Sequence, residues 1–407
     1  MLNRRHLMCC ALGMATGLFT GLVPQDAQAQ LSNPCLGRVP EALRQHPIVL
    51  SAFEGIDASQ LTDTHAHLLG TGDSGSGCSV HPSLYQWWRP LEVLRRRAIL
   101  NAACVEDGTG SVDRAYVRTL QTLAADFPAG ARWWLFAFDQ AHDDEGRAAP
   151  QWSTFHVPDA YCAQVAAALP QRFAWVASVH PYREDALQRL LHAAAHGAVA
   201  VKWLPSTMNI DLRDRRCRPV YDELLRLKLP LIVHVGEEKA APGAGRDELN
   251  NPLLLRTPLA AGVTVIAAHC GSLGHAQDSD RPSAPSVPAF ELWARLMDDP
   301  SLGDRLRGDL SAVFQRNREP GVWRALLERS DWHGRLLHGS DHPLPGVMPL
   351  FSLPMLVRAG VLDDADRATL QALRGHNPLM FDFVLKRRLR SGTARLPASV
   401  FEGRALA

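Results

Sequence analysis

The chain contains no dense run of lysine and arginine, and its formal net charge is only +1 over 407 residues. That balance removes the electrostatic reason to expect nucleic acid or an anionic membrane as a partner. Cysteines at metal-ligand spacing are also missing. Cys35, Cys78, Cys104, Cys162, Cys217 and Cys270 are scattered singly, so a cysteine-based metal site is not indicated. Bilayer-spanning apolar runs are lacking too: the nearest candidate, Leu7 to Val23, is slightly short and rich in Gly and Thr.

At the N-terminus that same stretch has another meaning. MLNRRH supplies positive charge, Leu7 to Val23 an apolar segment, and Ala27-Gln28-Ala29 a small-residue cleavage site. Together they predict an export signal over residues 1–29, cut before Gln30, and a periplasmic or secreted protein. Arg4 and Arg5 resemble the twin-arginine type, which exports folded proteins, although Asn3 and His6 depart from its usual pattern. An uncleaved anchor is the competing reading; after cleavage no stable membrane insertion is expected. An oxidising compartment permits disulfides, and Cys35 with Cys78, both in irregular Gly- or Pro-bearing stretches, is the favoured pair.

What the chain does have is a series of ligand-capable residues at the ends of apolar runs. Leu61 to Leu69 reads LTDTHAHLL. Alternate side chains of a strand share a face, so His65 and His67 point at one spot, as a divalent-metal site requires. A Gly/Ser-rich loop then leads into helical material over Leu84–Cys104 and Val112–Ala125. Tyr85, Trp87, Trp88 and Arg89 there either shape a substrate pocket or pack a cover helix.

From Arg132 onward apolar runs of strand length alternate with amphipathic helices, the signature of a helix-covered parallel sheet. The runs end at Asp139, His180, Lys202, His234, His269, Asp309 and Asp341. With the strand before His65 there are eight, which predicts an α/β fold of (β/α)8 TIM-barrel type with a helical insertion after strand 1. Polar residues at the C-terminal ends of strands form a ring in a barrel, whereas in an open sheet they lie along a line. The organisation expected is a signal over 1–29, an extension over 30–59, a barrel over 60–390 and a tail over 391–407. Asn377 and Pro378 read as the N-cap and first residue of a final helix.

The series THAH, VKWLP, VHVGE, AAHCGS and HGSD, in this order on successive strands, resembles the metal-dependent amidohydrolase superfamily, and most closely its amidohydrolase-related TIM-barrel hydrolases. The resemblance implies that His65, His67 and Asp341 hold a divalent metal, zinc foremost. It also implies that Asp341 takes a proton from the water the metal activates. His234 and His269 would bind a second ion, or one would ligate while the other polarises the substrate. Lys202, costly to bury unpaired, would bridge two ions if carboxylated, or else contact substrate or a carboxylate. One ion or two therefore follows from the state of Lys202.

His180, Arg183 and Glu238 are candidate substrate-binding residues, Arg183 for a substrate carboxylate; loop packing is the plain alternative for each. His338 is expected to orient a ligand. The function implied is a hydrolase whose activated water attacks the carbonyl of a small-molecule amide, ester or lactone. A metal-dependent decarboxylase and a non-catalytic ligand-binding barrel are the alternatives, and a homo-oligomer is compatible with the sequence.

Overall fold

The computed structural model describes residues 31–403 except 107 and 109, so the expected export signal lies outside the described residues. Eight strands form one sheet: β1 (Thr62–His67), β2 (Arg132–Phe136), β3 (Phe173–Ala177), β4 (Ala198–Trp203), β5 (Leu231–His234), β6 (Val265–Ala268), β7 (Leu306–Asp309) and β8 (Leu336–Leu337). Their order in the sheet is their order in the chain, and the neighbouring pairs are parallel. The ends meet as well. Thr64 N–H donates to the His338 carbonyl and His67 N–H to that of His342, both at 2.9 Å. This is a (β/α)8 barrel.

Side-chain alternation fixes what lies inside. Trp134, Phe136, Val176, Ala200, Ile232, Ile266, Ala268 and Leu337 form one buried cluster along the axis. Their neighbours Trp133, Leu135, Val201, Val233, Val265, Ala267 and Leu336 belong to the larger core between sheet and helices. Two residues past inward-facing Ala200 and Ile232 come Lys202 and His234, so the packing of the axis places these side chains inside the rim.

Between β1 and β2 lie the helices Pro90–Ala102 and Val112–Ala124. The first starts later than its apolar pattern predicts, because His81 caps a separate turn over Pro82–Tyr85 and Pro90 takes the first helical position. Trp87 and Trp88, 82% and 60% exposed, pack edge to face on each other and line no core. The second helix holds the site from behind: Tyr116 Oη donates to the His67 carbonyl at 2.7 Å.

The residues after Ser391, which lack a sequence pattern, seal the barrel at the lower ends of β1 and β8. His338 N–H donates to the Val400 carbonyl at 2.8 Å, Thr62 N–H to that of Phe401 at 2.9 Å, and Gly403 N–H to that of Gln60 at 2.7 Å. The helix Pro378–Arg388 follows Asn377, whose side chain caps it by accepting from Met380 N–H at 3.0 Å. Among the described residues no helix is long and apolar enough to cross a membrane.

The cysteine pairing differs from the one expected. Cys35 is bonded to Cys104, with Cα atoms 5.5 Å apart, and Cys78 is a buried free thiol. The N-terminal extension crosses the C-terminal end of the helix Pro90–Ala102, where Asn33 and Asn101 exchange hydrogen bonds of 2.8 and 3.0 Å. Cys35 is thereby set beside Cys104. Cys78 instead sits under the loop after β1, where burial pushes its thiol up to about 11. The bond spans 69 residues of sequence, and closing such a loop stabilises the fold by about 2–4 kcal/mol. Urea titration with and without reductant is expected to show that loss in wild type and in Cys78→Ser alike, whereas Cys104→Ser is expected to be insensitive to reductant.

Candidate metal centre

The four histidines at the ends of β1, β5 and β6 meet. Ring centroids lie 5.3 Å apart for His65 and His67, 5.0 Å for His65 and His269, and 5.0 Å for His269 and His234. Asp341 arrives from the turn after β8, its Oδ1 3.0 Å from His67 Nε2 and 3.4 Å from His65 Nε2. That approach depends on backbone. Asp341 N–H donates to the His65 carbonyl at 2.7 Å, and a Cβ on Gly339 would stand 2.7 Å from that of His65. Only glycine lets the turn come this close.

Hydrogen bonds decide which ring nitrogens are free. His65 Nδ1 lies 2.9 Å from Asp309 Oδ2, so it carries the proton and leaves Nε2 with a lone pair. Nε2 is buried without a hydrogen-bond partner. His269 Nδ1 donates to the Ser311 carbonyl at 3.0 Å, which frees its own Nε2. His234 Nδ1 faces Glu238 Oε2 at 3.3 Å, and its Nε2 is likewise buried and unpartnered. Polar atoms enclosed in this way are costly unless something binds them.

Two sets bring three ligand atoms within 4.8 Å of one another: His65, His67 and Asp341, and His65, His269 and Asp309. Because Asp309 already takes the Nδ1 proton of His65, the first set keeps its lone pairs for a cation. Asp309 orients the ring, as carboxylates behind metal-binding histidines do. Lys202 completes the ring of groups. Its Nζ is buried without a partner, 5.3 Å from the centre of the Phe136 ring, and burial pushes its pKa down to about 8.

The electrostatics favour neutral imidazoles and ionised carboxylates. Burial lowers the pKa of His65 and His234, and that of His269 falls well below its usual value. Burial opposes the charge of Asp341, but His269, His67 and His65 outweigh it and hold the carboxyl well below its ordinary range. The same contest at Asp309 is won by His65 and His269. Lone pairs and carboxylates are therefore ready together at neutral pH, and this donor set suits a divalent cation.

Of the other predicted residues Glu238 reaches the centre, whereas His180 and Arg183 do not. His180 spends both nitrogens on backbone, with Nε2 donating to the Met208 carbonyl at 2.8 Å and Nδ1 accepting from Tyr182 N–H at 3.1 Å. Arg183 is paired with Asp139 at 3.3 Å and Asp185 at 2.8 Å, so two carboxylates already take up its charge. Glu238 accepts from the backbone of Ala240 and Ala241 while facing His234. His338 does not orient a ligand: its ring packs between Phe383 and Phe401, and that role falls to Asp309. Ser311 and Arg318 near the centre were not singled out by sequence. Ser311 lies two residues after Asp309, a strand-end position that signals proximity, whereas Arg318 sits deep in a loop without such a signal.

Among solved structures the chain is similar to an uncharacterised TIM-barrel protein from Bordetella bronchiseptica, at 16% identity and a TM-score of 0.43 over 77% of this chain and 99% of that one. It is also similar to a 5-carboxyvanillate decarboxylase from Sphingomonas paucimobilis, at 13% and 0.42 over 77% and 98%. A 4-oxalomesaconate hydratase from Rhodopseudomonas palustris follows, at 13% and 0.40 over 80% and 93%. No curated protein matches the sequence. The amidohydrolase family model matches residues 63–381, a span that runs from β1 into the last helix and contains every residue of the candidate centre, and the chain belongs to that family.

Proposed function

We propose that this protein is a metal-dependent hydrolase that activates water for attack on the carbonyl of a small-molecule ester, lactone or amide. The supporting observation is Asp341 Oδ1 set beside the Nε2 atoms of both His67 and His65, at 3.0 and 3.4 Å, with the His65 atom otherwise unpartnered. His65, His67 and Asp341 would hold the ion, zinc foremost. A divalent cation supplies Lewis acidity there, polarising a carbonyl and lowering the pKa of water towards neutrality.

The chain's own groups supply the rest. Asp341, ionised well below neutrality, accepts the proton of the attacking water on its carboxylate and returns it to the leaving group. His269 and His234, neutral and with Nδ1 committed to Ser311 and Glu238, would offer their Nε2 lone pairs to a second ion. Phe136, whose ring lies 4.5 Å from that of His65, keeps water from the floor of the site. Lys202, whose lowered pKa makes the neutral amine accessible, would help hold a second ion if carboxylated and would otherwise contact substrate or a carboxylate.

His65→Ala is expected to abolish metal retention. Asp341→Asn is expected to keep most of the metal and lose about 10²–10⁴ in turnover, the usual size of a general-base contribution. Metal analysis paired with a panel of esters, lactones, amides and carboxylic acids checks both. An Asp341→Asn enzyme of wild-type rate would remove the proton role, and carbon dioxide release from the acids without hydrolysis would assign the decarboxylase instead. The metal content of Lys202→Met separates the two roles of that residue: a fall from two ions to one supports the bridge, and an unchanged count assigns Lys202 to substrate.

We also propose that the protein is exported. The Cys35–Cys104 bond supports this, since a reducing cytosol does not sustain such a link. The intact mass of the mature protein is expected to begin at Gln30; a mass that includes Met1 rules out cleavage.

A further inference from the structure

One more cation lies near the centre, and the reaction above does not use it. Arg318, on the loop after β7, is only 7% exposed. Its Nε donates to Ser272 Oγ at 3.3 Å, and its Nη1 donates to Gln315 Oε1 at 2.8 Å and Asn317 Oδ1 at 2.6 Å. All three acceptors are neutral, and among the described residues no carboxylate pairs with the guanidinium. Nη2 makes no hydrogen bond, yet it is absent from the fully enclosed orphan atoms, so it faces accessible space.

Arg374 shows what a structural arginine looks like in this fold. Also buried, it places Nε, Nη1 and Nη2 on the carbonyls of Pro345, Met348, Phe351 and Val347. Arg318 has no such cage. A guanidinium buried against neutral partners is costly unless an anion arrives to pair with it.

Arg318 lies near the metal centre. Its charge acts on Asp341, Glu238 and Glu237, and His234 feels it in turn. Ser272, which holds its Nε, follows His269 by three residues. With three acids close by, a monoanion fits better than a dianion, which favours a carboxylate over a phosphate. Arg183, the arginine sequence suggests for this task, is already neutralised by Asp139 and Asp185.

We propose that Arg318 is a specificity-determining residue that binds a carboxylate of the substrate, so that the substrates are carboxylate-bearing esters, lactones or amides. The reaction class rests on the hydrolase reading; the anion site does not. Gln315 and Asn317 hold the guanidinium in place, and Nη2 meets the substrate.

Two measurements on the metal-loaded, full-length protein test this. Calorimetry with benzoate, butyrate and inorganic phosphate is expected to show saturable binding of a carboxylate. Its Kd should rise about tenfold or more in Arg318→Gln, the usual size of a lost hydrogen bond to a charged group, and recover in part in Arg318→Lys. Gln315→Glu, which gives the guanidinium an internal partner, is expected to weaken binding in the same direction and keeps the test open if Arg318→Gln fails to fold. An unchanged Kd, no saturable carboxylate binding, or tighter binding of phosphate overturns the proposal.

Kinetics then compare monomethyl with dimethyl succinate. Arg318→Gln is expected to raise KM for the charged ester while leaving kcat and the neutral ester near wild type. Equal losses on both esters would make Arg318 merely structural and sink the assignment. Turnover of neither ester counts against these esters as substrates and not against Arg318, which calorimetry still decides.

Discussion

The candidate centre depends on one backbone encounter, the turn after β8 lying against His65. The Asp341 N–H bonds the His65 carbonyl at 2.7 Å, and the Ser340 N–H bonds Asp63 Oδ1 at 2.9 Å, an oxygen that also accepts from His65 N–H. From outside, Lys386 on the final helix donates to the Gly339 carbonyl at 2.6 Å while paired with the buried Asp382. Three layers thus fix one turn. The barrel's closure and the assembly of its ligands are the same event, because the contact that seals β8 to β1 also sets Asp341 beside His65 and His67.

That event carries strain and charge. Asp341 and His269 both adopt positive φ, at 59° each, in the left-handed region that non-glycine residues avoid. Such backbone is maintained only where the surroundings over-determine it, and it gathers at functional sites. Burial also works against every charge here. Lys202 is pushed down to about 8 and Asp63 up to about 7 by desolvation. The imidazoles beside Asp341 and Asp309 offset that cost and hold both carboxyls below their ordinary range. A cation in their midst would relieve that imbalance.

Much of this was legible in the sequence because strand alternation is a simple rule with few exceptions. Inward parity carries Ala200 to Lys202 and Ile232 to His234, and the apolar runs that define the strands also mark their ends. The helix Val112–Ala124 begins where its apolar pattern predicts. Contacts set by loop paths were not legible. Cys104 rather than Cys78 meets Cys35 because of where the extension crosses a helix, which no local pattern encodes. Asp309 looked like any strand-end acid until its distance to His65 showed its task, whereas His338, at a similar position, turns outward to Phe383 and Phe401. Arg318 hid in a polar loop, since a sequence does not reveal which arginine lacks a counter-charge.

The segment over Val400–Gly403 has a bearing on how the seam of the barrel is held. It bonds to Thr62, His338 and Gln60 at the lower ends of the first and last strands, while Thr64 and His67 reach the His338 and His342 carbonyls directly. The two ends of the sheet are therefore joined twice over, and detaching this segment would loosen the foot of the seam while leaving in place the contacts that carry Asp341.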